Sequence, residues 1–303
     1  MKLGRLRRRS GGVIDQRGQG TGMGSLGGFG SGGGSGFPIG GGMGIGGIII
    51  VLLLIFIVPK LLGSGGGSLP GDATAPFSQA GTVPAGGSSV DPTDPTGQFV
   101  DAVTDDVQTT WDDIFQRTGK TYEDTSVVLF TGATSTGCGQ ATSDVGPFYC
   151  PADRMVYLDT GFFKELETRF GAPGDFAEAY VIAHEIGHHV QTLLGIDDQV
   201  QQMVRDDPSR RNDLSIRQEL QADCFAGVWG RAAQGAGVLE AGDLEEGLKA
   251  AAAVGDDRIQ KAATGRINPE TWTHGSSEQR VQWFRNGFNA GNPDACDTFS
   301  GTV

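Results

Sequence analysis

The stretch Ala183-His184-Glu185-Ile186-Gly187-His188-His189 contains the pattern H-E-x-x-H, and its reading decides the rest. On a helix His184 and His188 are four residues apart, so both imidazoles leave the same face at a spacing that grips one Zn²⁺. Glu185 stands at the edge of that face, where its carboxylate reaches a water on the metal rather than the metal itself. Catalytic zinc takes three protein ligands and keeps one position for water. One helical turn thus supplies two ligands and a general base, and the third ligand must come from elsewhere.

The surroundings favour this over a polar helix that matches by chance. The chain has 4 histidines, and His184, His188 and His189 fall within six positions. The flanks, Phe176–Ala183 and Val190–Leu194, are largely apolar and are closed by Gly195, as in a buried helix with a C-terminal glycine. Imidazoles and a carboxylate inside such a helix need partners. His189 points about 100° away from His188 and reads as structural.

The longer pattern H-E-x-x-H-x-x-G-x-x-H is not met, because Gln191 and Leu194 occupy its Gly and third His. A carboxylate on another helix is the expected third ligand. Ser215–Gly227 has helical periodicity, with Ser215 and Gln218 as a capping box. Glu219 and Asp223 then share a face. Glu219 completes a His₂Glu site, and Asp223 accepts the free N–H of a ligating histidine. Ala222, Ala226 and Gly227 are small enough to let this helix approach the first one closely.

At these residues, together with Thr273–Phe284, Arg5–Arg9, Asp15–Gly18 and Cys150–Asp153, the chain resembles the bacterial neutral zinc metallopeptidase family over nearly its whole length. The order of the motifs is also similar to that of gluzincin-type membrane peptidases. The resemblance implies one membrane span after a basic, glycine-rich N-terminus, then a zinc endopeptidase domain with Glu219 as ligand. It also implies a late histidine or tyrosine as oxyanion donor, a role His274 would fill. Arg280 is the competing donor, or else pairs with a site carboxylate. Upstream, Asp153–Leu158 alternates as a strand and is the candidate edge for pairing with extended substrate.

Composition bounds the architecture. Gly18–Pro59 carries no charge, and Gly18–Gly47 is glycine-rich low complexity that builds no core. Ile48–Val58 is strongly apolar, and its extension to Ile45–Leu62 is just long enough to span a bilayer. Lys2, Arg5, Arg7, Arg8, Arg9 and Arg17 precede it against a single acid, Asp15, so the positive-inside rule puts the N-terminus in the cytoplasm and the rest outside. A cleaved signal peptide is disfavoured by its overlong basic region and by the position of Ala73-Thr74-Ala75, well beyond the apolar run. The chain carries net charge -13. Most of the acid lies beyond residue 60, which argues against nucleic acid as a partner.

All 4 cysteines follow the apolar run. In an oxidising compartment they imply two disulfides with three connectivities open, of which Cys138–Cys150, closing a short loop, with Cys224–Cys296, tying the C-terminal tail to the Glu219 helix, is the favoured one. No C-x-x-C supports a cysteine metal site.

The expected fold is α+β: a mostly helical, zincin-like domain with a small sheet. Residues 1–44 form the tail, 45–62 the transmembrane signal anchor, 63–97 a linker and 98–303 the metallopeptidase domain. Helices are expected at Phe99–Arg117, Pro173–Leu194, Ser215–Gln234, Ala241–Val254, Asp256–Thr264 and Ser276–Asn289, with a strand at Thr125–Thr131. Trp229, Trp272, Trp283 and Phe284 read as packing groups. The expected function is zinc-dependent hydrolysis of protein or peptide substrates at the bacterial cytoplasmic membrane. A silent membrane protein that binds a partner through its ectodomain is the alternative, and a cell-wall amide is a third possible substrate. Glu185 favours an enzyme, since a structural zinc site has no use for it.

Overall fold

The computed structural model describes residues 1–9, 12–18 and 89–303. The apolar run 45–62 lies outside the described residues. Among those described, no helix is long and apolar enough to cross a membrane.

The elements run β1 (Val13–Asp15), α1 (Pro95–Arg117), β2 (Ser126–Phe130), β3 (Ala133–Thr136), β4 (Gly139–Thr142), β5 (Phe148–Cys150), β6 (Met155–Asp159), α2 (Gly161–Thr168), α3 (Asp175–Leu194), α4 (Ile196–Asp206), α5 (Arg211–Gly235), α6 (Asp243–Ala253), α7 (Asp256–Thr264) and α8 (Ser277–Ala290). The mostly helical α+β expectation holds. One sheet has the order β1-β2-β6-β5, with β3 and β4 as a separate hairpin. β1, β2 and β6 are parallel, and β5 runs antiparallel to β6.

Five points depart from the sequence reading. Residues 1–44 were expected to form a separate tail, yet the described residues 1–9 and 12–18 pack on the domain: Val13, Ile14 and Asp15 pair with Val127, Val128 and Leu129. The domain also begins before residue 98, because Asp94 caps α1 by accepting from the N–H groups of Thr96 and Gly97. α5 starts at Arg211, because the Pro208–Arg210 turn, capped by Asp207, leads straight into it. Ser215 therefore lies inside the helix, and its hydroxyl donates to Thr273 O at 2.9 Å instead of capping. The Asp153–Leu158 strand is β6, an interior strand, and β5 forms the sheet edge in its place. Finally, Gly227 meets α8 rather than the H-E-x-x-H helix.

The core joins α1 to α5 through Trp111 and Phe225, whose rings meet edge-on at 5.0 Å, and α3 to α5 through the stacked Phe176 and Trp229. Trp229 Nε1 donates to buried Asp106 on α1 at 2.9 Å. Helix contacts close to the backbone set where the functional face of α5 points. Gly187 of α3 lies against Ala222, at 3.2 Å from its Cα to an added Cβ, so the predicted close approach of these two helices is real. On the opposite side, a Cβ at Gly287 would stand 1.9 Å from Cys224 O. Gly287→Ala should thus cost about 1–3 kcal/mol by overpacking, despite its better helix propensity. Urea denaturation checks this, and an unchanged midpoint would show that α5 and α8 can part without penalty.

Both expected disulfides are present, Cys138–Cys150 and Cys224–Cys296. The second ties the C-terminal segment to α5.

Candidate metal and active site

α3 is an apolar helix buried along most of its length and stopped by Gly195 in the left-handed conformation, as its sequence predicts. It carries His184 and Glu185, both buried, and His188, which is partly buried. α5 crosses it and brings Glu219 between the two imidazoles. Glu219 Oε2 lies 3.2 Å from His184 Nε2, and Oε1 lies 3.5 Å from His188 Nε2. Ligand atoms bonded to zinc at 2.0–2.1 Å stand about 3.3 Å apart along a tetrahedron edge. One donor atom from each of His184, His188 and Glu219 lies within 4.8 Å of the other two, close enough to hold one ion, and their chemistry fits zinc. Of the described residues only one other group, Asp175, Asp243 and Glu246, clusters this tightly, and it is all carboxylate.

The other ring nitrogens are held too. His184 Nδ1 faces Asp223 Oδ1 at 2.9 Å, and His188 Nδ1 faces Gln191 Oε1 at 2.9 Å. Each contact keeps the proton on Nδ1 and leaves the Nε2 lone pair for a metal. Gln191 is fixed in turn by donating to Gln218 O and Gln221 Oε1. The sequence reading noticed Gln191 only as a missing glycine.

Asp223 is fully buried and is the hub of the site. It receives Tyr180 Oη at 2.5 Å, Arg280 Nε at 2.8 Å and Arg280 Nη2 at 2.9 Å. Arg280 thus pairs with a site carboxylate, the second of the two roles open to it. Burial opposes ionisation of Asp223, but the Arg280 and His184 charges outweigh it and hold the carboxyl below its usual range. Burial likewise opposes ionisation of Glu219, and the His188 charge with hydrogen bonds from both imidazoles carries it well below. Burial would lower His188, yet Glu219 pushes it up to about 10. Protons therefore compete with a cation here, and metal affinity falls as pH falls. Unlike Glu219 and Asp223, Glu185 has its carboxyl raised, by burial, as suits a general base.

His274 lines the same cleft from the segment before α8, whose first turn is capped by Ser276 and Gln279. Its Nδ1 lies 3.2 Å from Asp256 Oδ1, and Asp256 Oδ2 accepts the backbone N–H groups of Thr273, His274 and Gly275. Burial would lower His274, but the hydrogen bond to Asp256 and the Glu219 charge raise it. Asp256 escaped the sequence reading; it starts a short helix 18 residues before His274, with no motif to connect them. His189 is structural, as read: Nε2 contacts Glu123 O at 2.7 Å and Nδ1 contacts Tyr149 Oη at 3.1 Å.

The cleft holds about 860 Å³. Its walls include Phe148 and Tyr149 of β5, Phe162, Val181 and Val200, so it is mostly apolar around a polar floor. An H-E-x-x-H helix crossed by a second helix that sets a glutamate between both imidazoles is the arrangement of a metal-dependent hydrolase. The chain belongs to the family described as "Putative neutral zinc metallopeptidase", whose model matches residues 2–299, and so to the hydrolases of peptide bonds. It is similar to "Uncharacterized protein YpfJ" of Escherichia coli (strain K12), 46% identical over 254 residues, 83% of this chain and 87% of that protein. It is also similar to "Uncharacterized protein Rv2575" of Mycobacterium tuberculosis (strain ATCC 25618 / H37Rv), 53% identical over 183 residues, 57% of this chain and 61% of that protein. No solved structure matches the chain.

Proposed function

We propose that the protein is a zinc-dependent endopeptidase acting on extended protein or peptide segments, with His184, His188 and Glu219 holding the ion. The observation that carries this is Glu219 set at 3.2 and 3.5 Å from the two Nε2 atoms, with Glu185 beside them in an apolar cleft. Bound zinc supplies Lewis acidity and brings the pKa of water toward 7. Glu185 takes the proton of the attacking water and delivers it to the leaving amine. His274, oriented by Asp256, whose hydrogen bond favours its charged form, donates to the oxyanion that forms on the substrate carbonyl. β5 is the sheet edge and lines the cleft, which supports its use as the strand that pairs with substrate. The two disulfides support an oxidising compartment.

The full-length protein, loaded with zinc, should cleave an unstructured substrate such as casein and stop when a chelator is added. One zinc per chain with no cleavage of any protein offered would favour the alternative, a partner-binding protein that keeps a zinc site. A well-folded chain that takes up no zinc would sink the site assignment.

His274→Ala should lower kcat by about 10²–10³ while zinc content is unchanged, as for loss of one oxyanion donor. Asp256→Asn should act through pH. The raised pKa of His274 keeps the donor charged, so activity falls as pH rises through that value. Without Asp256 this alkaline limb should move to lower pH, which a pH–rate profile measures. An unmoved limb would separate His274 from the oxyanion.

A further inference from the structure

Charge asymmetry marks the N-terminal residues as a segment that stays on the cytoplasmic side of a membrane while the domain crosses. Their contacts point elsewhere. β1 lengthens the sheet by pairing with β2, and Leu6 and Val13 are buried in the same core as Trp111. Lys2 N–H donates to Val238 O at 2.8 Å. The arginines meet acids carried by α1 and its flanks. Arg7 reaches Asp106 at 3.0 Å and Asp113 at 2.7 Å, Arg8 reaches Asp101 at 3.3 Å, and Arg9 reaches Asp112 and Asp124 at 2.8 Å each. Exposed pairs of this kind each contribute little. Asp106 differs: it is buried, and without Arg7 it would lose its cation. Removal of the segment would also bare the edge of β2, whose Val127 and Val128 are fully buried.

The decisive contact is at the other end of the segment. Arg17 bonds both Asp15 and Asp94, the residue that caps α1. An added Cβ at Gly97 would lie 3.1 Å from Arg17 Nη2. Residues 17 and 94–97 thus touch, whereas points on opposite sides of a bilayer are separated by about 30 Å of hydrocarbon. A docked segment and a single crossing between residues 18 and 89 exclude each other.

We infer that the N-terminal segment and the peptidase domain occupy the same side of any membrane the chain meets, the basic residues clamping the domain rather than retaining the N-terminus in the cytoplasm. The test uses the full-length chain in cells with two single variants, Arg8→Cys and Lys164→Cys. Both side chains are accessible, at 47% and 72%, and the native cysteines are paired. A membrane-impermeant maleimide, applied to spheroplasts and then to lysed cells, should modify or spare both positions alike. Modification of one in spheroplasts while the other reacts only after lysis overturns the inference. A chain carrying Arg8→Cys and Asp101→Cys together should cross-link within itself in the same cells with a short bis-maleimide. Failure to cross-link, with both cysteines reactive, overturns the docked segment.

Discussion

Glu185→Gln is expected to keep its zinc and lose about 10²–10⁴ in kcat, the range of a positioned general base. The amide matches the carboxylate in shape but takes no proton from water. Glu185 is one of three carboxylates at the centre with distinct duties. Glu219 lies between the imidazoles, Asp223 is taken up by Arg280, Tyr180 and His184, and Glu185 lines the cleft and forms no ion pair among the described residues. The same substitution has a second consequence that a purely structural role would not give. Burial raises the folded-state pKa of Glu185, so the folded chain holds that proton more tightly than the unfolded one. Ionisation then costs stability as pH rises above the usual carboxylate range, and stability is fullest below it. At pH 7, with chelator present, Glu185→Gln should be at least as stable as wild type, a common trade at active sites. Zinc content, casein cleavage and urea midpoints separate the outcomes. Unaltered cleavage would remove Glu185 as the base, and lost zinc would make it a ligand.

The centre was legible because helical periodicity is a local rule. His184 with His188, and Glu219 with Asp223, share faces by spacing alone, and each pair needed only the crossing of two helices to meet. Those helices were readable from apolar periodicity and from Gly195. The cysteine pairs were legible only as a preference among three connectivities, because the short loop between Cys138 and Cys150 favours closing it. What stayed hidden was set by long-range pairing. β5 became the edge because β6 is taken on both sides by β2 and β5, an order that no strand's own sequence encodes. Asp256 joins His274 only through a loop that brings three backbone N–H groups onto its carboxylate. α4 was missed because Gly195, which ends α3, also begins the next helix, a mostly polar one that buries only Val200. The basic N-terminal residues were read by their sign, while their placement follows from acids about a hundred positions later on α1.

Arg280→Met is expected to destabilise the protein by about 3–5 kcal/mol, the penalty for stripping a buried carboxylate of its cation. Arg280 grips Asp223 with two nitrogens, at 2.8 and 2.9 Å, reaches Val254 O and Tyr180 Oη at 3.2 Å each, and lies 3.4 and 3.5 Å from the ring nitrogens of His184. Methionine fills similar volume, so the loss measures charge and hydrogen bonds rather than a cavity. The pH dependence carries the sign. Asp223 is held below its usual range in the folded state, so the stability it contributes is present above the unfolded value and lost as pH falls through the folded one. The deficit of Arg280→Met should therefore be largest near neutrality and shrink in acid, where Asp223 takes up a proton. Zinc affinity should also drop by about 10–100-fold, because Asp223 would no longer be held to orient His184. Both readings are needed, by urea denaturation in chelator and by competition with a zinc indicator. Lower affinity at unchanged stability would mean that Tyr180 and His184 alone satisfy Asp223, so that Arg280 acts on the metal through its charge. Adding Asp223→Leu removes the orphaned carboxylate, and the double variant should regain much of the stability that Arg280→Met loses without regaining the affinity. That split would assign the pair to orientation of the zinc ligand rather than to stabilisation of the fold.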